Sequence, residues 1–423
     1  MLTLQTIKSD PDFVIARLAV KGFDGREIIN EIIKVDADRR SLQVKCDTDA
    51  SALKKLSASI GVLMKQGKKE EAEQAKAQVA ELKNGAKKLQ EDLDAAEKKL
   101  TELLLQVPNL PNKDVPEGLS ADNTVVEKES GPLPELPEDA LPHWDLAKKY
   151  ELIDFETGVK VTGAGFPFYM GKGARLQRAL IQFFLDEAWK AGYTEVEPPF
   201  VVNAASGYGT GQLPDKEGQM YHVTADDLYL IPTAEVPVTN IYRDVILPED
   251  SLPRKNCAYS PCWRREAGSY GKDVRGLNRL HQFDKVEIVR VEKPENSYAA
   301  LEEMKTHVEG LLNLLGLPWR ILRLCGGDMS FTSAITFDFE VWSAAQKRWL
   351  EVSSVSNFET YQANRLKCRY RGADKKINLC HTLNGSALAL PRIVAALLEN
   401  NQTPDGIVVP ECLRKYTGFD IID

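Results

Sequence analysis

The sequence has few of the residues that build disulfide frameworks and metal clusters. Its 423 residues include seven cysteines and five histidines. The cysteine number is odd and the spacing is scattered, which is not the pattern of a disulfide-stabilised domain. Cys257 and Cys262 have no second cysteine pair and no histidine cluster nearby. We therefore expect buried free thiols and no zinc site.

Long apolar runs and the common glycine-rich nucleotide motifs are also absent from the sequence. No apolar stretch approaches the ~18 residues that a membrane helix needs. The first residues, MLTLQTIKSDPDF, lack the basic-then-apolar pattern of a signal peptide. We expect a cytoplasmic protein without a membrane partner. Neither G-x-G-x-x-G after a first strand nor G-x-x-x-x-G-K-[ST] occurs, so a nucleotide would have to bind by another route.

Length and composition allow a large soluble globular protein. The chain is 43% hydrophobic and 27% charged, with a formal net charge of −8. It is long enough for two or three domains and at least one sizeable core. The net negative charge does not exclude nucleic acid as a partner, because binding needs only a local basic patch.

Residues 26–107 carry a heptad pattern that is broken once, at KQGKKE (65–70). On both sides of this break, apolar or small residues recur at steps of three and four, the spacing of a coiled-coil seam. Arg39 and Asp49 interrupt the seam of the first half. Two such helices joined by a short turn must fold back on each other. The pattern predicts an antiparallel hairpin of two helices, each about 38 residues and roughly 55–60 Å long.

The predicted hairpin is longer than stability requires, which suggests that it reaches toward a partner. Lys65, Lys68 and Lys69 lie at its tip, although Glu70 and Glu71 dilute their charge. A coiled-coil exterior needs lysine and glutamate in any case. From the residues alone, a solvated surface and a basic binding surface both remain open.

A proline-rich stretch separates this hairpin from a region of mixed helices and short strands. Residues 107–142 repeat proline without any periodicity, as an extended linker does. Residues 171–193 form an amphipathic helical pattern. Strand patterns cover 194–202, 228–239, 255–266, 281–291, 334–342 and 348–358. Several of these strands follow one another without helices between them, which favours an α+β domain with an antiparallel sheet.

Charged residues occur repeatedly inside these apolar strand patterns. Glu235, Glu287 and Glu351 are examples, as is the sequence Arg264-Arg265-Glu266. Strand alternation predicts that Arg264 and Glu266 share one face and that Arg265 lies on the other. Buried charges cost several kcal/mol each unless they are paired or bind a ligand. The pattern therefore indicates either a polar active site on a sheet or a structural network of ion pairs.

The motifs of this region resemble those of class II aminoacyl-tRNA synthetases, and the chain resembles bacterial-type seryl-tRNA synthetases over nearly its whole length. KAGYTEVEPPFVV (190–202) resembles motif 1, CWRREAGSYGKDVRGLNRLHQFDKVE (262–287) motif 2, and LNGSALALPRIVAALLENNQ (383–402) motif 3. TAE at 233–235 and HQFDKVE at 281–287 resemble sequences of the class II enzymes that are specific for serine. It implies an α+β fold, with an antiparallel class II catalytic sheet and an N-terminal helical coiled-coil arm.

The resemblance also implies the residues of the active site. The implied catalytic residues are Arg264, Glu351 and Arg392. The implied serine-binding residues are Thr233, Ala234, Glu235, Glu287 and Ser386. The implied ATP-binding residues are Arg264, Arg265, Glu266, Arg279, Phe283, Glu351, Val352, Ser353, Ser354 and Arg392. Glu351 and Ser354 would hold Mg²⁺ through the ATP phosphates. Which carboxylate meets the serine ammonium, and which the hydroxyl, stays open.

The implied activity is serine–tRNA ligation in two steps, through seryl-adenylate. The resemblance divides the chain into a tRNA-binding domain with the arm (1–107), a linker (108–142) and a catalytic domain (143–423). The implied partners are the serine tRNA, held by the arm, the selenocysteine tRNA where one is present, and a second copy of the chain in a homodimer.

Three other functions fit the sequence less well. A relative that loads a carrier protein would lack the long arm and carry a zinc site. A binding module with a dead pocket would not need Arg264, Glu266, Glu287, Glu351 and Arg392 together. A purely structural coiled-coil protein leaves the last two-thirds of the sequence unexplained.

Overall fold

The structure, a computed structural model, describes residues 1–266 and 275–423. Its chain forms two compact units. One comprises residues 2–19 and 23–108, and the other comprises residues 1, 20–22 and 109–423. Within the described residues, no helix has the combination of length and apolar character that crossing a membrane requires. All seven cysteines are free thiols, and five of them are buried, as the sequence predicts.

The first unit consists of helices. These are α1 (Leu4–Ser9), most of α2 (Pro11–Val20), α3 (Arg26–Lys65) and α4 (Lys69–Leu104). The predicted hairpin is confirmed: α3 has 40 residues and α4 has 36, or about 60 and 54 Å at 1.5 Å per residue. The turn depends on Gly67, whose φ of 77° lies in the left-handed region that glycine tolerates.

The predicted seam lies between the two helices. Seam residues of α4, among them Ala72, Ala75, Leu93 and Leu100, are buried. Arg39 fits into the seam because its guanidinium binds Asp36, a buried carboxylate 2.9 Å away, which also accepts a hydrogen bond from Lys8. A polar residue in the seam is thus compensated by an ion pair one turn away.

The second unit is built on a large sheet. Its strands, and those of the smaller sheets, are β1 (Val125–Glu129), β2 (Ile153–Asp154), β3 (Phe168–Tyr169), β4 (Thr194–Glu195), β5 (Val201–Asn203), β6 (His222–Val223), β7 (Leu228–Leu230), β8 (Ile246–Pro248), β9 (Arg254–Trp263), β10 (Gln282–Glu292), β11 (Trp319–Arg323), β12 (Ile335–Ser343), β13 (Arg348–Glu359), β14 (Arg369–Arg371), β15 (Ile377–Leu379), β16 (His381–Ala389), β17 (Gln402–Thr403), β18 (Gly406–Val408) and β19 (Ile421–Ile422). In the described residues the large sheet has the order β1-β11-β12-β13-β16-β10-β9-β4. Every neighbouring pair is antiparallel except β4–β9, which confirms the predicted fold class.

Helices pack against this sheet and close its core. They are α5 (His143–Lys149), α6 (Phe155–Val161), α7 (Gly171–Lys190), α8 (Ala204–Thr210), α9 (Glu235–Thr239), α10 (Ser297–Leu315), α11 (Thr360–Leu366), α12 (Leu390–Asn400) and α13 (Glu411–Thr417). On β10, Val286 and Ile288 lie in the core with residues of α7, α10 and α12. Alternation along the strand therefore turns Lys285 and Glu287 toward the opposite face.

Two of the predicted strands need correction. The pattern at 228–239 forms a strand only as β7 (Leu228–Leu230), and Glu235 begins helix α9. Pro232 and Pro237 cannot donate to a strand ladder, and the Thr233 hydroxyl accepts a hydrogen bond from the Glu235 amide at 3.2 Å. The strand predicted over 194–202 is split into β4 and β5 around Pro198 and Pro199 for the same reason.

Candidate active site

A polar cavity of about 420 Å³ lies over the central strands of the large sheet. It brings together all the predicted site residues except Ala234 and Arg265. These are Thr233, Glu235, Arg264, Glu266, Arg279, Phe283, Glu287, Glu351, Val352, Ser353, Ser354, Ser386 and Arg392. Residues between 264 and 392 share one cavity because β9, β10, β13 and β16 are neighbours in the sheet, and Thr233 and Glu235 reach it from the start of α9.

Strand β10 supplies the floor of the cavity. Phe283, Lys285 and Glu287 are two positions apart, so alternation turns all three toward the cavity. The Lys285 ammonium lies 2.5 Å from the Glu287 carboxylate, and both side chains are buried. Ser386 of β16 is paired directly with Glu287 across the ladder. The charge of Glu287 is therefore balanced within the protein.

Glu235, in the first turn of α9, is the second buried carboxylate of the cavity. Gln362 donates a hydrogen bond to it at 2.6 Å, and the Thr233 hydroxyl donates to Glu287 at 3.2 Å. Burial, together with the negative charge of Glu287, raises the pKa of Glu235 to about 7. Glu235 consequently holds a proton near neutrality more readily than an ordinary glutamate.

Arg264, Arg265 and Glu266 lie just beyond β9, not within it as predicted. The Arg264 amide donates to the His281 carbonyl and the Arg265 amide to the Gln219 carbonyl, both at 2.9 Å. These two amides bind carbonyls on opposite sides of the chain, so the side chains of Arg264 and Arg265 still point in opposite directions, as predicted. Arg264 and Glu266 line the cavity, whereas Arg265 is exposed and lies over the Tyr221 ring, 5.9 Å from its centroid.

The Arg264 guanidinium is held from two sides. Its Nε donates to the Pro232 carbonyl at 3.3 Å, and its central carbon lies 5.2 Å from the centroid of the Phe283 ring. Glu266, with a φ of 48°, accepts a hydrogen bond from Arg279 at 2.5 Å. The part of the motif 2 resemblance at 267–274 lies outside the described residues.

Glu351 and Ser354 reach the cavity together because of an irregularity in β13. They are three positions apart, so regular alternation would place them on opposite faces. The pairing of β12 with β13 shifts by one residue: Phe339 pairs with Ser353, but Glu340 pairs with Glu351. Val352 is the extra residue of this bulge, and it lets both side chains face the cavity.

Arg392, in the first turn of α12, contacts both neighbouring walls. Its Nη1 donates to the Glu351 carbonyl at 2.7 Å and its Nε donates to the Asn278 carbonyl at 3.0 Å. Pro391 precedes it within the first helical turn, where a missing N–H costs nothing. The guanidinium is therefore held at the cavity edge.

Comparison with known proteins gives matches along almost the entire chain. Residues 1–111 match the model of the seryl-tRNA synthetase N-terminal domain. Residues 221–401 match that of the class II tRNA synthetase core domain, which serves the G, H, P, S and T enzymes. The serine–tRNA ligase of Salinibacter ruber is 53% identical over 99% of this chain and 98% of its own length. That of Clostridium tetani is 44% identical over 99% of both.

The chain belongs to the seryl-tRNA synthetase family. A solved structure of the seryl-tRNA synthetase from Pyrococcus horikoshii, complexed with ATP, superposes with a TM-score of 0.92 at 32% identity, covering 100% of this chain and 99% of that one. The cytoplasmic enzyme of Naegleria fowleri, in complex with AMP, gives 0.87 at 27% identity over 100% and 99%. The seryl-tRNA synthetase family is class II, and its members are ligases that join serine to tRNA through an ester bond, so the predicted enzyme class is confirmed.

Several residues in or beside the cavity were not identified from the sequence. Lys285 was missed although it stands two positions before Glu287, a spacing that alternation places on the same face. Asn384 stands two positions before Ser386 on β16 and was missed in the same way. Gln362 had no such signal, because it reaches Glu235 from helix α11, a distant part of the sequence.

Proposed function

We propose that the cavity binds L-serine and ATP side by side and joins them as seryl-adenylate before the seryl group passes to tRNA. The observation that carries the proposal is that buried carboxylates and guanidinium groups line the same cavity. Glu235 and Glu287 are the buried carboxylates, and Arg279 and Arg392 carry guanidinium groups. Carboxylates suit a substrate with an ammonium group and guanidinium groups suit one with phosphates, so we assign the first pair to a serine end and the second pair to an ATP end.

In the first step, a serine carboxylate oxygen attacks the α-phosphorus of ATP. The bond from that phosphorus to the bridging oxygen breaks, and pyrophosphate leaves. Arg264, held between the two ends, would bridge the carboxylate and the α-phosphate and counter the charge that develops there. No covalent bond to the enzyme is required.

The ATP end would be formed by motif 2 and motif 3 residues. Phe283 and Arg392 would hold the two faces of the adenine, one by ring stacking and one by its guanidinium. Glu266 would contact the adenine edge, while Arg279 would meet phosphate once a ligand competes for its pair with Glu266. Val352 and Ser353 would supply wall contacts in β13. Ala234 would shape the serine end from behind Thr233, and Arg265 would act at most indirectly.

The residues around Glu351 fit a magnesium ion carried by the ATP phosphates. Mg²⁺ commonly takes one or two protein oxygens and fills its remaining positions with phosphate and water. Glu351 and Ser354 offer those oxygens. Nearby Asp338, which pairs with Ser354 across the ladder, has a buried oxygen that finds no hydrogen-bond partner among the described residues. The ion would neutralise phosphate charge as pyrophosphate forms. Within the described residues, no three His, Cys, Asp or Glu side chains are grouped to hold a metal by themselves.

At the serine end, one carboxylate would balance the ammonium and another would accept the hydroxyl. Glu287 is already paired with Lys285, whereas Glu235 is hydrogen-bonded to the neutral amide of Gln362. We assign the ammonium to Glu235 on this ground, and the hydroxyl to Glu287, Thr233 and Ser386. Alanine has no hydroxyl and could not form these hydrogen bonds, so the site would discriminate against it.

In the second step, a hydroxyl of the terminal adenosine of tRNA attacks the seryl carbonyl, and AMP leaves. The arm within 1–107 would bind the serine tRNA, and the selenocysteine tRNA where present, through dispersed lysines and arginines on its surface. Segment 108–142 would link it to the catalytic domain at 143–423. The enzyme would act in the cytoplasm as a homodimer.

Serine-dependent exchange of labelled pyrophosphate into ATP, followed by charging of total tRNA, tests the proposal. We expect exchange with serine and Mg²⁺, little with alanine or threonine, and none without Mg²⁺. Folded protein that shows no serine-dependent exchange would refute the adenylate step. Exchange with serine but without transfer to tRNA would refute the second step alone.

A further inference from the structure

One wall of the cavity is formed by the residues that follow the undescribed segment 267–274. Leu277, Asn278 and Arg279 all line it. Arg279 pairs with Glu266, and the Asn278 carbonyl accepts a hydrogen bond from Arg392. The geometry of the proposed ATP end therefore depends on where this short wall, 277–279, is held.

The wall is held from behind by a buried histidine. His143, the first residue of α5, is fully buried, and its Nε2 accepts a hydrogen bond from the Leu277 amide at 2.9 Å. The His143 ring also lies close to the preceding residue, Gly276, because a Cβ built there would be 2.3 Å from the same nitrogen. Gly276 thus leaves room for the ring to sit directly against the wall.

The second ring nitrogen of His143 faces a buried carboxylate. Nδ1 lies 2.8 Å from Glu399, which also accepts hydrogen bonds from the His143 amide at 3.0 Å, from Gln346 at 3.0 Å, and from the Ser343 hydroxyl. Burial alone would raise the pKa of Glu399, but the hydrogen bonds from His143 and Ser343 outweigh it and hold that pKa below its ordinary value. An ionised Glu399 accepts the proton of Nδ1, which leaves Nε2 free to accept from Leu277.

These contacts connect the wall to α12 at two points. Arg392 in the first turn of α12 binds the Asn278 carbonyl, and Glu399 in its last turn acts through His143 on the Leu277 amide. Gln346 adds a third connection, because it binds both Glu399 and Asn278. A histidine that only filled the core would not need a fixed tautomer aimed at a backbone amide of the cavity.

We propose that His143 is a positioning residue for ATP, and that Glu399 fixes its tautomer so that Nε2 holds the 277–279 wall in place. The proposal rests on the proposed function, since it assigns this wall to the ATP end. It predicts a selective effect on ATP. Serine meets the cavity at Glu235 and Glu287, which His143 does not contact.

Two substitutions of His143 separate the two ring contacts. In H143N the amide nitrogen stands near the place of Nδ1 and keeps a donor for Glu399, but nothing accepts from Leu277. In H143Q the longer side chain places a carbonyl oxygen near the place of Nε2 and restores that acceptor. A buried N–H left without its partner costs about tenfold in an equilibrium, or about 1.4 kcal/mol.

The experiment is serine-dependent pyrophosphate exchange with full-length wild type, H143N and H143Q, with KM for ATP and for serine determined separately. Thermal unfolding and a single-turnover adenylate burst measure folding and the active fraction. We expect H143N to raise the KM for ATP about tenfold more than H143Q does, with KM for serine changed less than about twofold in either. If H143N does not fold, E399Q is measured instead and is expected to show the same selective rise in KM for ATP.

Equal KM values for ATP in the two variants would overturn the proposal, as would parallel rises in KM for ATP and serine. A loss confined to the active fraction, with both KM values unchanged, would assign His143 to the core alone. Failure of the proposed function looks different, because wild-type protein would then lack serine-dependent exchange altogether.

Discussion

The proposed contact between Glu235 and the serine ammonium predicts that serine binding depends on pH near neutrality. Burial and the charge of Glu287 raise its pKa from 4.5 to about 7, which favours the protonated carboxyl by about 3 kcal/mol. In the proposed complex, the serine ammonium would favour the carboxylate instead. Below pH 7 the free enzyme must therefore release a proton from Glu235 before serine can bind productively, and above pH 7 it need not.

The size of the effect follows from this pKa. With a value of about 7, the protonated fraction weakens serine binding about elevenfold at pH 6 and only about 1.1-fold at pH 8. We expect the KM for serine to fall about tenfold between pH 6 and pH 8. The KM for ATP should not show this dependence on pH. The serine zwitterion itself does not titrate in this range.

The assay is pyrophosphate exchange at saturating ATP across pH 6 to 8, with calorimetry to count the protons released when serine binds. E235Q should bind serine more weakly at every pH but without the slope, because its amide does not titrate. E266Q, a matched loss of a carboxylate at the ATP end, should keep the slope. A flat wild-type profile, or the same slope in E235Q, would refute the reasoning.

Three further predictions concern other parts of the molecule. R264A should abolish exchange with little change in unfolding temperature, whereas R265S should retain most of it; equal losses would show that the two side chains do not differ in role. Replacing 30–105 by a short turn should spare exchange but cripple tRNA charging, and unchanged charging would mean that the arm is only structural. E351Q should raise the Mg²⁺ concentration needed for half-maximal exchange by about tenfold, because the ion would lose one charged ligand. An unchanged Mg²⁺ titration would exclude Glu351 as a ligand.

The helical arm could be predicted from the sequence almost completely, because its seam is a one-dimensional pattern. Steps of three and four fix which residues face the partner helix, and Gly67 marks the turn between the two helices. The strand predicted over 228–239 was wrong beyond Leu230, because the same apolar spacing is compatible with more than one local structure. Pro232 and Pro237 cannot donate to a strand ladder, and the Thr233 hydroxyl binds the Glu235 amide, so the strand ends before them.

The site residues on regular strands could be placed from sequence, but those that depend on an irregularity could not. Alternation correctly groups Phe283 and Glu287 on one face of β10. The grouping of Glu351 with Ser354 came from the family resemblance, since regular alternation contradicts it and only the bulge at Val352 reconciles them. A bulge depends on the pairing of two strands, so one strand's sequence does not specify it.

The placement of Arg264 explains why the two substrates would be aligned at all. Its guanidinium is fixed by the Pro232 carbonyl, one residue before the serine-end Thr233, and by the face of Phe283, which belongs to the proposed ATP end. A disturbance of either end therefore moves the group that would join them. Since small displacements of reacting groups cost rate steeply, variants at either end should lower the rate of adenylate formation as well as the affinity for their own substrate. Such coupling would appear as a fall in kcat when the substrate concerned is saturating.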